Sequence, residues 1–148
     1  IALLLTAALA TAGLTQTHKT ESKGDQFATL PDLMRDGIHE QFTFLSFAIY
    51  HDEPLTANKL DRISKSALTL SKLARRIPEL GSSYAAGAER SSMLEARARA
   101  LAQNAEELAH AARVRKQKSV QPLFSKVESA CSDCHTKFRA ELVLQDAQ

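Results

Sequence analysis

Apolar residues recur every three or four positions along most of this chain, and no stretch alternates long enough to suggest a strand. Four segments carry the helical period. Over 30–50, Leu30, Met34, Ile38, Phe42, Leu45 and Ile49 define one apolar face. Thr29 is placed to cap that helix, Pro31 suits its first turn, and Asp32 favours the positive end of its dipole. His51-Asp52-Glu53-Pro54 ends it. Over 56–77, Leu60, Ile63, Ala67, Leu70, Ala74 and Ile77 form a regular bundle seam, stopped by Pro78 and Gly81. Residues 81–87 (GSSYAAG) read as a small, flexible link. Over 89–116, Leu94, Leu101 and Leu108 recur every seven residues. Over 120–146, Val120, Leu123, Phe124, Val127, Cys131, Cys134, Phe138 and Leu142 share a face, with Ser119 as the expected cap and Pro122 in the first turn.

Short links make sequential helices antiparallel, so the expected fold is all-α, an up-down-up-down four-helix bundle. In that topology the start of the first helix and the end of the fourth lie at the same end. Composition agrees: glycine and proline are sparse, tryptophan is absent, and alanine and leucine are abundant. The chain of 148 residues suits one domain, expected over 29–148 behind a polar lead-in at 14–28. A net charge of +2 gives no general case for nucleic-acid binding.

Residues 1–13 (IALLLTAALATAG) are apolar and uncharged, too short to span a bilayer comfortably. They read as the core of a secretory signal, with Ala10-Thr11-Ala12 as its cleavage site; an uncleaved anchor is the alternative. No cysteine stands directly after them, which argues against a lipid anchor. The expectation is export to the periplasm, with no stable membrane insertion of the mature chain.

Chemistry concentrates in Cys131-Ser132-Asp133-Cys134-His135, which uses both cysteines of the chain. C-x-x-C-H is the signature of c-type haem attachment. Thiols three residues apart on a helix lie on one face, where each can add to a haem vinyl group. His135 then offers an imidazole to the iron from the same side. A thioredoxin-like pair would need a βαβ context, and a structural zinc site would need four ligands. A plain disulfide would make no use of the histidine. One covalently bound haem c is the expected cofactor.

The chain resembles the cytochrome c-prime family, the class II c-type cytochromes. The resemblance covers about residues 30–142, and its specific part is Cys131-Ser-Asp-Cys-His-Thr-Lys-Phe-Arg139, a haem motif close to the C-terminus followed by an aromatic and an arginine. It implies thioethers at Cys131 and Cys134, His135 as proximal ligand, and Phe138 and Arg139 near the haem. One branch of the family leaves the distal side open, with five-coordinate iron that binds nitric oxide or carbon monoxide. The other places a methionine near the start of the first helix. Pro31-Asp-Leu-Met34-Arg-Asp, with Glu53-Pro54 after the helix, resembles the methionine-ligated branch. A shorter link between the second and third helices and the missing tryptophan of the third depart from the family pattern.

Regular α-helical geometry sorts the other candidate sixth ligands. Met34 points inward, whereas His39 lies about 140° away at the polar margin. Met93 is at the right end of the bundle but rotated from the leucine line. His51 and His110 fall near the opposite end, and His18 is in the lead-in. Met34 as plain core packing is the other reading of that residue. The basic run Arg113-Val-Arg-Lys-Gln-Lys118 reads as a solvated loop before a partner-docking patch. Leu33, Phe44 and Phe47 lie off the main seam, where they would serve a homodimer contact or pack locally.

The expected function is periplasmic electron transfer with redox partner proteins, by a non-enzymatic monohaem cytochrome with iron held by His135 and Met34. The alternatives are a five-coordinate haem protein binding NO or CO, and a haem-free helical interaction protein with a Cys131–Cys134 pair.

Overall fold

The computed structural model describes residues 27–51 and 54–145, with side chains described as far as Phe138. The signal-like segment, most of the lead-in with His18, and the side chains of Arg139 and Leu142 lie outside the described residues. Four long helices account for nearly all the rest, and no strand occurs among the described residues.

Helix α1 is continuous through an α-helical turn at Leu30–Asp32, a π-helical stretch at Leu33–Ile38 and an α-helix at His39–Tyr50. Thr29 caps it as expected, its hydroxyl accepting from the Asp32 amide at 3.3 Å. Helix α2 spans Ala57–Ala74 and is capped by Thr56, which accepts from the Lys59 amide at 3.3 Å. Helix α3 spans Ala88–Arg113 and α4 spans Gln117–Gln145. Packing runs round a square, α1 on α2, α2 on α3, α3 on α4 and α4 on α1. The expected seams fill the middle: Leu60, Ile63, Ala67, Leu70, Ala74 and Ile77 from α2 and the adjoining turn, Leu94, Leu101 and Leu108 from α3, and Val120, Phe124 and Val127 from α4 are all buried.

Four local details differ from the regular pattern. Helix α2, expected to run to Ile77, ends at Ala74, and Ile77–Leu80 forms a separate turn because Pro78 suits only the first turn of a new helix. The link after it is ordered rather than loose: Ser82–Tyr84 is 3₁₀, Ala85 is buried, and the Ser91 hydroxyl donates to the Ala85 carbonyl at 2.8 Å. Helix α4 begins at Gln117, so Ser119 lies inside it and does not cap it. The basic run is bound into the structure at Arg115. That residue closes α3 with φ of 62°, a left-handed position more often held by glycine. The Lys116 amide donates back to Ala111 O at 2.9 Å. The Arg115 guanidinium pairs with Asp61 at 2.9 Å and donates to Ala57 O at 2.6 Å, fastening the α3–α4 link to the start of α2.

Gly81 is the tightest point of the α2–α3 connection. A Cβ there would stand 2.7 Å from the Ile77 carbonyl oxygen and 2.8 Å from Leu94 Cδ2. The oxygen is backbone and cannot swing aside. Gly81→Ala is therefore expected to cost about 1–3 kcal/mol, the usual cost of overpacking. A urea titration checks this, and an unchanged midpoint would contradict it.

Candidate haem-binding site

The end of the bundle where α1 starts and α4 approaches its finish holds a cavity of about 670 Å³. That is within the range for cofactor-sized pockets. Helix α4 supplies Glu128, Cys131, Ser132, Cys134, His135 and Phe138. Helix α1 supplies Leu30, Pro31, Met34, Arg35, Ile38, His39 and Phe42. Ile77 and Tyr84 from the α2–α3 connection and Leu94 from α3 close the remainder. The antiparallel topology thus brings Met34 to the same cavity as the C-x-x-C-H residues, which are about one hundred positions away in sequence. Met93 is half-buried against the core and does not line the cavity.

Both cysteines are half-buried with free thiols. Burial pushes the Cys131 thiol up to about 11, helped by neighbouring Cys134 and Glu128. Burial also raises Cys134, against the opposing pull of the Arg97 guanidinium. Redox-active C-x-x-C pairs work the other way, with a thiol acidified by its surroundings. Here burial shifts both thiols upward, which does not suit disulfide exchange. Among the described residues, no group of three or more His, Cys, Asp or Glu side chains stands close enough to hold a metal ion alone. The zinc reading therefore lacks a ligand set. A haem suits these walls: two thiols on one helix, an imidazole beside them, and a thioether on the facing helix.

Phe138 is buried, with the Arg90 guanidinium 5.7 Å from its ring centre. His135 is exposed at the cavity mouth. On the α1 side, Arg35 is exposed and hydrogen-bonded by Asp36 and Asp32, which raise its pKa above the ordinary range. Its Nη2 lies 2.8 Å from Asp36 and 2.9 Å from Asp32. A second groove of about 560 Å³ opens outside between α3 and α4, lined by Arg97, Asn104, Lys126 and Asp133 among others, and by neither cysteine.

The largest departure from the sequence reading is at His39. It stays exposed beside Arg35, as the sequence reading has it, but it also lines the cavity together with Met34. The cause is the π-helical stretch: the His39 amide donates to the Met34 carbonyl, five residues back. That wide turn brings positions i and i+5 into one stripe. Leu33, five residues before Ile38, moves with it and is fully buried, so it does not face outward as a dimer contact. Phe44 is half-buried under the Arg62 guanidinium, 4.9 Å from its ring centre, whereas Phe47 is exposed. Gly37 lies in the π stretch, where a glycine is a warning of irregular helix. A Cβ there would be 3.0 Å from Phe27 Cζ, so its absence lets Phe27 pack against the helix.

An all-α bundle with a C-x-x-C-H motif facing a cofactor-sized cavity defines a c-type haem protein of the bundle class. A sequence model of cytochrome c' matches residues 59–139, and the chain belongs to that family. The match includes the whole haem motif with Phe138 and Arg139, and begins after α1. No curated protein and no solved structure is matched by the chain. Membership makes the protein a haem c-type cytochrome. No helix among the described residues is long and apolar enough to cross a membrane.

Proposed function

We propose that this cytochrome is an exported electron carrier with one haem c, which Cys131 and Cys134 would attach by thioethers and whose iron His135 and Met34 would ligate. The observation that carries the reading is the single cavity shared by Met34 on α1 and Cys131, Cys134 and His135 on α4. When bound, the haem supplies one-electron chemistry, its iron alternating between ferrous and ferric states. The protein supplies the rest. Each cysteine adds its S–H across a vinyl group, which needs no oxidant. Tethering holds the imidazole of His135 near the iron at high effective concentration. The apolar side chains of Leu30, Ile38, Phe42, Ile77, Leu94 and Phe138 exclude water, and a thioether ligand favours the reduced state more than a second imidazole would. Arg139, within the stretch that the family model matches, would offer positive charge to a haem carboxylate. The signal-like residues 1–13 support export to the periplasm, where redox partner proteins would exchange electrons with it.

The competing reading within the family is an open distal side that binds NO or CO, with Met34 packing beside the iron. Near-infrared absorption separates the two. The ferric protein is expected to show a weak sulfur-to-iron charge-transfer band, and Met34→Leu, which keeps the side-chain volume, is expected to abolish it. A high-spin, five-coordinate spectrum in the unmodified protein would refute the Met34 assignment and support gas binding.

A further inference from the structure

The π-helical turn of α1 places two ligating side chains on the same wall of the cavity. Regular α-helical geometry would set Met34 and His39 about 140° apart, with only one of them facing a haem. Instead the His39 amide closes a five-residue turn on the Met34 carbonyl, and both side chains line the cavity. Turns of this kind recur at functional sites. Of the described histidines, His39 and His135 line this cavity; His51 and His110 do not. His51 stacks on Phe47 with ring centres 4.5 Å apart, and His110 Nδ1 contacts Arg113 at 3.2 Å. The His39 ring is exposed, and Nε2 lies 3.5 Å from the Thr43 hydroxyl, the outer limit of a hydrogen bond. Little therefore holds the imidazole away from the cavity.

We propose that His39 is a reserve axial ligand: when the Met34 thioether leaves the iron, the His39 imidazole replaces it. The inference rests on the reading of a haem seated between α1 and α4. The exchange would break one Fe–S bond and form one Fe–N bond to a neutral imidazole, with no change in the oxidation state of the iron. Ligand softness gives it a direction, because thioether sulfur suits ferrous iron and imidazole suits both states, so oxidation favours the exchange. The consequence is functional. An iron that loses Met34 stays six-coordinate and offers no open position to small ligands, which keeps an electron carrier from being captured by gases.

The test uses the haem-loaded protein and electron paramagnetic resonance of the ferric state. Met34→Leu is expected to lose the near-infrared sulfur band yet remain low-spin, with the signal of two imidazole ligands. Met34→Leu combined with His39→Ala is expected to turn high-spin and, once reduced, to bind carbon monoxide. A single variant that is already high-spin, or a double variant that stays low-spin, would overturn the proposal. If neither variant matures, the unmodified protein in urea below its unfolding midpoint supplies the readout. There the sulfur band should give way to a bis-imidazole signal that His39→Ala removes. Persistence of that signal in His39→Ala would assign it to another histidine and overturn the proposal. Absence of the sulfur band from the unmodified native protein is a different result, since it removes the Met34 ligand itself.

Discussion

Replacing Cys131 and Cys134 with alanine is expected to convert an inseparable haem into an extractable one. The intact mass of the unmodified protein after denaturation should exceed the chain mass by one haem, and the double variant should show the chain mass alone. Acid acetone should then draw any remaining haem from the variant and none from the parent. Both thiols are half-buried on one cavity wall, three residues apart on α4. A thiol that adds to a vinyl group delivers its hydrogen to the vinyl carbon and needs no oxidant, whereas burial, which raises both thiols, disfavours the thiolate that disulfide exchange requires. A disulfide would instead require loss of two electrons and both protons. Single variants sharpen the prediction, because each should keep one thioether and hence the full haem mass. Alkylation provides an independent check: the denatured parent should expose no reactive thiol, with or without prior reduction. A thiol that appears only after reduction would mean a Cys131–Cys134 disulfide. Haem that washes out of the unmodified protein would refute covalent attachment.

The fold was legible because its signals are periodic and redundant. The α2 seam needs no single residue to be right, and every member of it from Leu60 to Ile77 is buried. The meeting of the two thiols and His135 at one cavity was legible because their spacing sets them on one short stretch of α4. The meeting of Met34 with that motif followed from topology, since short links leave few ways to order four helices. What escaped was set by one irregular turn. An assumed step of about 100° per residue places Leu33 off the seam and His39 at the margin. The turn at Leu33–Ile38 closes over five residues instead, which buries Leu33 and brings the still exposed His39 to the cavity. Gly37 was the visible hint, but glycine in a helix marks many kinds of irregularity and does not name this one. Arg115 shows a second limit. As sequence it is one cation in a basic run, and only its left-handed backbone and its contact with Asp61 reveal a fastening between α2 and the α3–α4 link.

Phe124→Ala is expected to produce the largest loss of stability of any single core change considered, about 3–5 kcal/mol. Phe124 is fully buried on α4. Its ring centre lies 5.5 Å from that of Phe42 and 5.6 Å from that of Tyr50, so it is the aromatic link that holds α4 against α1. Tyr50 extends the same seam outward, its hydroxyl donating to Glu128 at 2.6 Å. Removing the ring leaves a cavity between these helices and forfeits two aromatic contacts worth about 0.5–1.5 kcal/mol each. Domains of this size have only about 5–15 kcal/mol to lose. The same helices carry the two walls of the haem site, with Phe42 itself lining the cavity and Cys131 seven residues beyond Phe124. On the proposed ligation by Met34 and His135, loosening this contact should also broaden the position of Met34 relative to His135 and weaken the near-infrared sulfur band, although neither residue has been altered. Phe124→Leu, which fills most of the space, should retain the band and lose less stability. Urea titrations of the haem-loaded proteins, read as a fall in midpoint at constant slope, measure the first effect, and absorption of the ferric proteins measures the second. A loss below about 1 kcal/mol for Phe124→Ala would show that α1 and α4 do not depend on this ring.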